Sequence, residues 1–113
     1  MDFSFRSVAL NKRYPLRISR GEFSGSVNLF VSVRSGDMEG LGESAPGSLI
    51  GTDTAESFQA ELTSFLEDCP EALDNPHEGW HLARSAKVTS CAWAAVDIAL
   101  WDLLAKRAQL PLY

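Results

Sequence analysis

Four groups of residues in this chain have types and spacings that could do chemistry. His77-Glu78-Gly79-Trp80-His81 fits H-E-x-x-H, which on a helix sets two imidazoles on one face for zinc and leaves the glutamate as a base. Gly40-Leu41-Gly42-Glu43-Ser44-Ala45 fits a loose G-x-G-x-x-A pattern, which after a strand would open a helix N-terminus onto a pyrophosphate. Asp97 and Asp102 are two carboxylates in one strongly apolar segment. Arg13, Arg17 and Arg20 make a basic cluster in and beside a Gly- and Ser-rich stretch.

Context weakens the first three. Gly79 disfavours the helix that the zinc geometry requires, and a third ligand would have to come from Asp97 or Asp102. Two surface histidines on a short helix is the simpler reading; a zinc hydrolase using His77, Glu78 and His81 stays as a rival. Pro46-Gly47 blocks a helix after the glycine motif and no βαβ unit follows, so the nucleotide reading fails. Asp97 and Asp102, about 140° apart around a helix, cannot act as a pair on one face. They are expected to accept hydrogen bonds or an Arg partner at a packed interface.

The elements that must position these groups follow from periodicity. Phe3 to Leu10 and Val27 to Arg34 alternate with period two and read as strands. Ser35-Gly36-Asp37 supplies a tight turn, and Met38 to Glu43 pairs back as a third strand. A loop of about residues 12–25 is expected between the first two strands. Asp53 and Glu56 form a capping-box signature ahead of the stripe Phe58, Leu62, Phe65 and Leu66. A shorter helical piece starts at Asn75-Pro76 and runs through Trp80 and Leu82. The strongest helix spans Thr89 to Lys106, with Trp93, Val96, Leu100, Leu103 and Leu104 in one stripe and Ala92, Ala95, Ala99 and Ala105 widening it. Such a helix packs on more than one side. Strands followed by helices predict an α+β fold: a three-stranded antiparallel meander, then a three-helix bundle.

The chain's 113 residues suit one domain and fall far short of the roughly 250 of a (β/α)8 barrel. No run approaches the roughly 20 apolar residues of a membrane span, and Met1 to Leu10 lacks a secretory signal's apolar core. Cys69 and Cys91 fit no zinc spacing and read as reduced thiols of a cytoplasmic protein. A net charge of −5 argues against nucleic acid as a partner. That charge is uneven: residues 35–78 contain eleven Asp/Glu and no Lys or Arg, the composition of a solvated helix face.

At the last helix the sequence meets a family. Ala94-Ala95-Val96-Asp97-Ile98-Ala99-Leu100-Trp101-Asp102-Leu103-Leu104-Ala105-Lys106, followed by Leu110-Pro111-Leu112-Tyr113, resembles the end of the N-terminal capping domain of the mandelate racemase/muconate lactonizing enzyme family of the enolase superfamily. Gly40-Leu41-Gly42-Glu43-Ser44-Ala45-Pro46 resembles that domain's G-x-G-E-[AST]-x-P strand end. Pro15-Leu16-Arg17-Ile18-Ser19-Arg20-Gly21 resembles the P-[FL]-x-I-[AS]-R-G loop of the dipeptide epimerases, which include L-Ala-D/L-Glu epimerase.

The resemblance implies that residues 1–113 are a substrate-capping and specificity domain, cut before the barrel of an isomerase. Loops at about 16–26 and 47–54 would close over the barrel. Arg20 would hold the carboxylate of a small anionic substrate such as a dipeptide through two parallel hydrogen bonds. Gly21 would permit closure, and Leu49, Ile50 and Gly51 would form an apolar wall. The family's chemistry is α-proton abstraction beside a carboxylate by a Lys or His base, with Mg²⁺ stabilising the enediolate. Lys12, Lys87 and Lys106 make no K-x-K arrangement, and no Asp/Glu set matches the family's metal positions. The implied partner is therefore the chain's own C-terminal barrel, which would bind the Mg²⁺ and supply every catalytic and metal-ligating residue; the parent could be a homo-oligomer. A muconate cycloisomerase or o-succinylbenzoate synthase-type parent, and a non-enzymatic interaction module of the same fold, are the alternatives.

Overall fold

A computed structural model describes residues 1–18, 21–46, 53–68 and 72–113. Strands β1 (Asp2–Ile18), β2 (Gly21–Ser35) and β3 (Met38–Ser44) form one antiparallel sheet in that order. Helices α1 (Ala55–Asp68), α2 (Pro76–Ser85) and α3 (Ser90–Ala108) follow, with a 3-10 turn at Ala72–Asp74. The α+β order expected from the sequence is the order found. Gly36 takes φ +60° in the β2–β3 turn, a conformation that costs glycine nothing.

The core lies between the sheet and the helices. Leu29, Val31 and Val33 of β2 are 0–1% exposed and meet Phe58 and Leu62 of α1 and Val96, Leu100 and Leu103 of α3. Side chains of a strand alternate between faces, so the cross-strand register decides what else shares this face. Val31 pairs with Phe5 on β1 and Gly42 on β3, and Val33 pairs with Phe3 and Gly40. The β1 positions contribute phenylalanine, and the β3 positions contribute nothing but backbone.

That absence of side chains seats α3. A Cβ at Gly42 would fall inside 3.0 Å of the Ala95 carbonyl and the Ala99 nitrogen, and one at Gly40 would strike the Ala99 carbonyl and Leu103. The helix backbone thus lies directly against the strand. The G-x-G spacing that imitated a nucleotide loop is a two-residue strand period facing a helix. Polar groups secure the same contact: Asp102 Oδ2 accepts from the Leu41 N–H at 2.9 Å and from Lys106 Nζ at 2.7 Å, while Lys106 Nζ also donates to the Glu39 carbonyl at 2.7 Å. The free edge of β3 is partly closed by one carboxylate and one ammonium, which suppresses pairing with other chains.

Three local expectations change. The loop placed at about residues 12–25 is mostly strand: Leu16, Arg17 and Ile18 pair with Phe23, Glu22 and Gly21. Between Asn11↔Gly25 and Leu16↔Phe23 the register slips, so residues 12–15 of β1 oppose only residue 24. Pro15 has no N–H for a ladder, and a bulge is where a strand tolerates it. The N-terminal box of α1 is also one residue later than Asp53 and Glu56. Ser57 N–H donates to Thr54 Oγ1 at 3.1 Å and Thr54 N–H to Ser57 Oγ at 2.9 Å. Finally, α2 continues past Leu82 to Ser85. Asn75 caps it by accepting from the His77 N–H at 3.0 Å, and Pro76 occupies the first turn. Gly79 is tolerated there because it faces Leu73 and Trp93, where a Cβ would sit 3.2 and 3.3 Å away.

The seat predicts a contrast between glycines. Gly42→Ala should lower stability by about 3 kcal/mol through overpacking against backbone. Gly36→Ala, whose Cβ would meet nothing within 4 Å, should cost about 1 kcal/mol of left-handed strain; urea unfolding of the two variants checks this. A second expectation concerns acid. Burial alone would raise the Asp102 carboxyl, but the hydrogen bond from Lys106, that from the Leu41 N–H and the Lys106 charge outweigh it and hold it below the usual carboxylate range. A carboxylate depressed in the folded state stabilises above its unfolded value, near pH 4, and loses that contribution as pH falls through the folded value. Asp102→Asn should therefore be destabilised at pH 7 by about 1 kcal/mol, and the gap from the parent chain should narrow in thermal melts below pH 4.

Candidate functional site

Two registers define one distinctive end of the sheet. Pairing of β2 with β3 stops at Leu29↔Ser44, whereas pairing of β1 with β2 continues to Ile18↔Gly21. The β1–β2 ribbon therefore projects past β3 by the residues from Gly21 to Asn28, roughly 27 Å at 3.4 Å per residue. The chain also leaves β3 at this end, through Ala45 and Pro46. Both segments expected to face a substrate thus depart from the same end of the fold. Gly21 is the first residue of β2, paired with Ile18. Arg20, Leu49, Ile50 and Gly51 lie outside the described residues.

At the root of the ribbon a polar chain crosses the sheet. Ser26 Oγ donates to Asn28 Oδ1 at 2.7 Å, and Asn28 Nδ2 donates to Glu43 Oε1 at 2.6 Å. Asn28 is only 7% exposed, so its amide fixes Glu43, the acidic residue of the G-x-G-E motif. Ser44, equally buried, has a hydroxyl with no partner among the described residues. Further out, the bulge of β1 presents Arg13 and Tyr14, with the guanidinium 5.7 Å from the ring centroid, inside cation–π range. Tyr14 is 76% exposed. Sequence reasoning grouped Arg13 with the loop cations but missed its ring partner; the signal was the Arg-Tyr-Pro run, in which proline breaks the ladder.

The histidine motif assembles differently from a metal site. The His77 ring meets the Trp101 ring edge-on at 5.0 Å, and His81 meets Trp80 at 5.0 Å. Each imidazole has a separate aromatic neighbour, and the Arg84 guanidinium lies over the Trp80 ring, 5.1 Å from its centroid. Among the described residues no three His, Cys, Asp or Glu side chains converge in a way that could hold a metal ion. Asp97 does lie beside His77. Burial raises its carboxyl above the usual carboxylate range, and the nearby His77 and a hydrogen bond from the Trp101 side chain only partly offset that. It lines a cavity of about 360 Å³ with Trp80, Arg84 and Trp93. The surroundings of the two α3 carboxylates thus differ: Asp102 accepts hydrogen bonds at a packed interface, and Asp97 lines a cavity beside Trp101.

Comparison with known proteins places these features. The model of the mandelate racemase/muconate lactonizing enzyme N-terminal domain matches residues 2–113. The chain is 47% identical over 114 residues to a hydrophobic dipeptide epimerase of Roseobacter litoralis, covering 100% of this chain and 32% of that protein. It is 45% identical over 112 residues to a protein of the same name from a Flavobacteria bacterium, covering 99% of this chain and again 32% of the relative. The chain therefore spans about a third of the length of the curated relatives it matches. Among solved structures, a dipeptide epimerase from Enterococcus faecalis, complexed with Mg and the dipeptide L-Leu-L-Tyr, superposes with a TM-score of 0.83 at 24% identity, covering 98% of this chain and 32% of that one. At that identity the likeness shows the fold. A family match from residue 2 to residue 113 makes this chain an N-terminal domain of the mandelate racemase/muconate lactonizing enzyme family.

Proposed function

We propose that this chain is the substrate-capping and specificity domain of an epimerase acting on hydrophobic dipeptides, with the chemistry carried out by a second, barrel domain. The observation that carries the reading is the 47% identity to a hydrophobic dipeptide epimerase along the entire chain. It favours that substrate class over an acidic dipeptide, and over a muconate cycloisomerase or o-succinylbenzoate synthase-type parent. The projecting ribbon supports it physically. A two-stranded lever rooted in a sheet can lie over an opening, exclude water and carry recognition groups at its tip.

In this reading Arg20, between the ends of β1 and β2, holds the free carboxylate of the dipeptide by paired hydrogen bonds. Gly21 gives the tip the freedom to close. Leu49, Ile50 and Gly51 cover the hydrophobic side chains. Mg²⁺ accompanies the dipeptide in the Enterococcus faecalis relative. No three His, Cys, Asp or Glu side chains among the described residues could hold a metal ion, and in this reading the ion and the proton-transferring groups belong to the second domain. The cap positions substrate and keeps water out; no step of bond making falls to its own side chains. The reading of Cys69 and Cys91 as reduced thiols supports a cytoplasmic location.

The test is a chimera in which this chain replaces the matching third of the Roseobacter litoralis protein. It should epimerise dipeptides with hydrophobic side chains, while the 113-residue chain alone should show no turnover. Arg20→Gln in the chimera should raise KM roughly 10- to 100-fold, the worth of a hydrogen bond to a charged group, with kcat less affected. A folded chimera without epimerase activity, turnover by the chain alone, or an unchanged KM in Arg20→Gln would each contradict the proposal.

A further inference from the structure

The two edges of the sheet are treated differently. On the β3 side, Asp102 and Lys106 bind the edge groups of Leu41 and Glu39. On the other side β1 is the last strand. It pairs with β2 through ten unbroken positions, from Asp2↔Arg34 to Asn11↔Gly25, before the register slips. A straight stretch of that length, without bulge or proline, presents a row of outward N–H and C=O groups as a template for another strand. Among the described residues no backbone group outside the β1–β2 ladder bonds to Asp2–Asn11. Charge does little to guard the edge, since Asp2 and Arg6 are the only charged side chains in residues 1–11. On the helix face, Phe3 and Phe5 are half-buried at the margin of the core.

The side chains along β1 say which strand fits. A second copy can add its own β1 antiparallel about a two-fold axis normal to the sheet, and directly opposed residues then share a face. The axis must therefore pass through a residue. With Arg6 on the axis, two guanidinium groups would oppose one another, which is destabilising. With Phe5 there, Asp2 faces Val8 and Arg6 faces Ser4. With Ser7 there, Arg6 faces Val8 and Phe5 faces Ala9. Ser4 on the axis is different. Asp2 of each copy then opposes Arg6 of the other on the outer face, and Phe3 of each opposes Phe5 of the other on the helix face. Opposite charges and aromatic pairs are the cross-strand combinations that stabilise an antiparallel ladder. Ser4, Asp2 and Arg6 are all exposed, and Arg34, across from Asp2 on β2, has its guanidinium 3.7 Å from Glu39.

We propose that the outer edge of β1 is a dimerisation edge: two copies of this chain pair residues 1–7 antiparallel across a two-fold axis at Ser4. The result is one six-stranded sheet with the helices of both copies on the same face. Two Asp2–Arg6 pairs lie on its outer face and two Phe3–Phe5 pairs extend the margin of each core. The joint lies at the end of β1 away from the β1–β2 ribbon, so the ribbon stays free to cover a substrate. Seven paired residues bury less than the roughly 800 Å² per partner of a standard interface, so the dimer of the chain is weak and forms as concentration rises. The inference is independent of the substrate reading, because the chain alone is measured, without a dipeptide.

Sedimentation equilibrium of the 113-residue chain tests this, with substitutions confined to exposed positions. The chain should pass from monomer to dimer as its concentration rises. Ser4→Lys sets two ammonium groups face to face on the axis; it should leave the melting temperature of the dilute monomer within about 2 °C and weaken the dimer by about tenfold or more. Arg6→Asp alone should weaken it similarly by facing Asp2, and adding Asp2→Arg should restore it. Cross-linking reads the register directly. Ser4→Cys, in a chain also carrying Cys69→Ser and Cys91→Ser, should give a disulfide-linked dimer on mild oxidation, because opposed Cα atoms lie about 4.5–5.5 Å apart. Arg6→Cys in the same background should not, its two copies standing about 14 Å apart along the ladder. A chain that stays monomeric to about 1 mM overturns the proposal and leaves the edge to a strand of another protein. A dimer indifferent to Ser4→Lys, a charge exchange that fails to restore pairing, or cross-linking through Arg6→Cys in preference to Ser4→Cys overturns it as well.

Discussion

Everything in this domain is arranged around the contact of a helix backbone with a strand backbone. Because Gly40 and Gly42 carry no side chains, α3 descends onto β3 until its Ala95 and Ala99 carbonyls lie where Cβ atoms would otherwise be. Close approach lets small residues, Ala92, Ala95 and Ala99, join the buried face of the helix, while Trp93 meets Phe65 of α1 and, with Leu100, lies near Gly79 of α2. Dispersion between closely packed atoms is individually small and collectively large, and it favours this flat, side-chain-poor contact. Asp102 and Lys106 then fix the helix along its axis by binding the edge groups of Leu41 and Glu39.

The same seat explains why the rest of α3 is free. A helix pressed against a strand on one side and flanked by α1 and α2 still has an outer third, and here that third is Ile98, Trp101 and Leu104 rather than lysine and glutamate. The two ends of the fold are correspondingly different. One side of the molecule offers the largely apolar outer arc of α3, with Asp97 beside the Trp80–Arg84 cavity. One end of the sheet offers a long ribbon anchored by Asn28 and Glu43 and carrying arginine and tyrosine. In the proposed capping role the ribbon would be the projecting arm.

Most of this was legible in the residues, for physical reasons. Period-two alternation located the body of every strand, and the tryptophan-bearing helix was plain from its stripe. Its all-round apolarity signalled packing on more than one side, and α3 meets β2, β3, α1 and α2. Misjudged features were those in which local chemistry has several outcomes. Pro15 and the glycines after it read as a loop, yet a strand can bypass proline with a bulge, and Gly21 and Gly25 pair within a hairpin. Asp53 and Glu56 have the right types for a capping box, but Thr54 and Ser57 have it too, and the hydroxyl pair formed. Tertiary partners such as Asn28 with Glu43, or Glu61 with the start of α3 at Thr89, leave no periodic trace in a single sequence. Arg20 and the Leu49-Ile50-Gly51 wall were inferred through family likeness, and they fall outside the described residues.

Hydroxyl-radical footprinting read by mass spectrometry addresses the central claim most directly, because it reports side-chain exposure residue by residue. In the isolated chain, Ile98, Trp101 and Leu104 should be modified readily while Trp93 is protected. When the chain is joined to the remainder of the Roseobacter litoralis relative, Arg13 and Tyr14 should respond to a bound dipeptide. Modification of Arg13 and Tyr14 that a bound dipeptide leaves unchanged would contradict the proposed capping role of the β1–β2 ribbon.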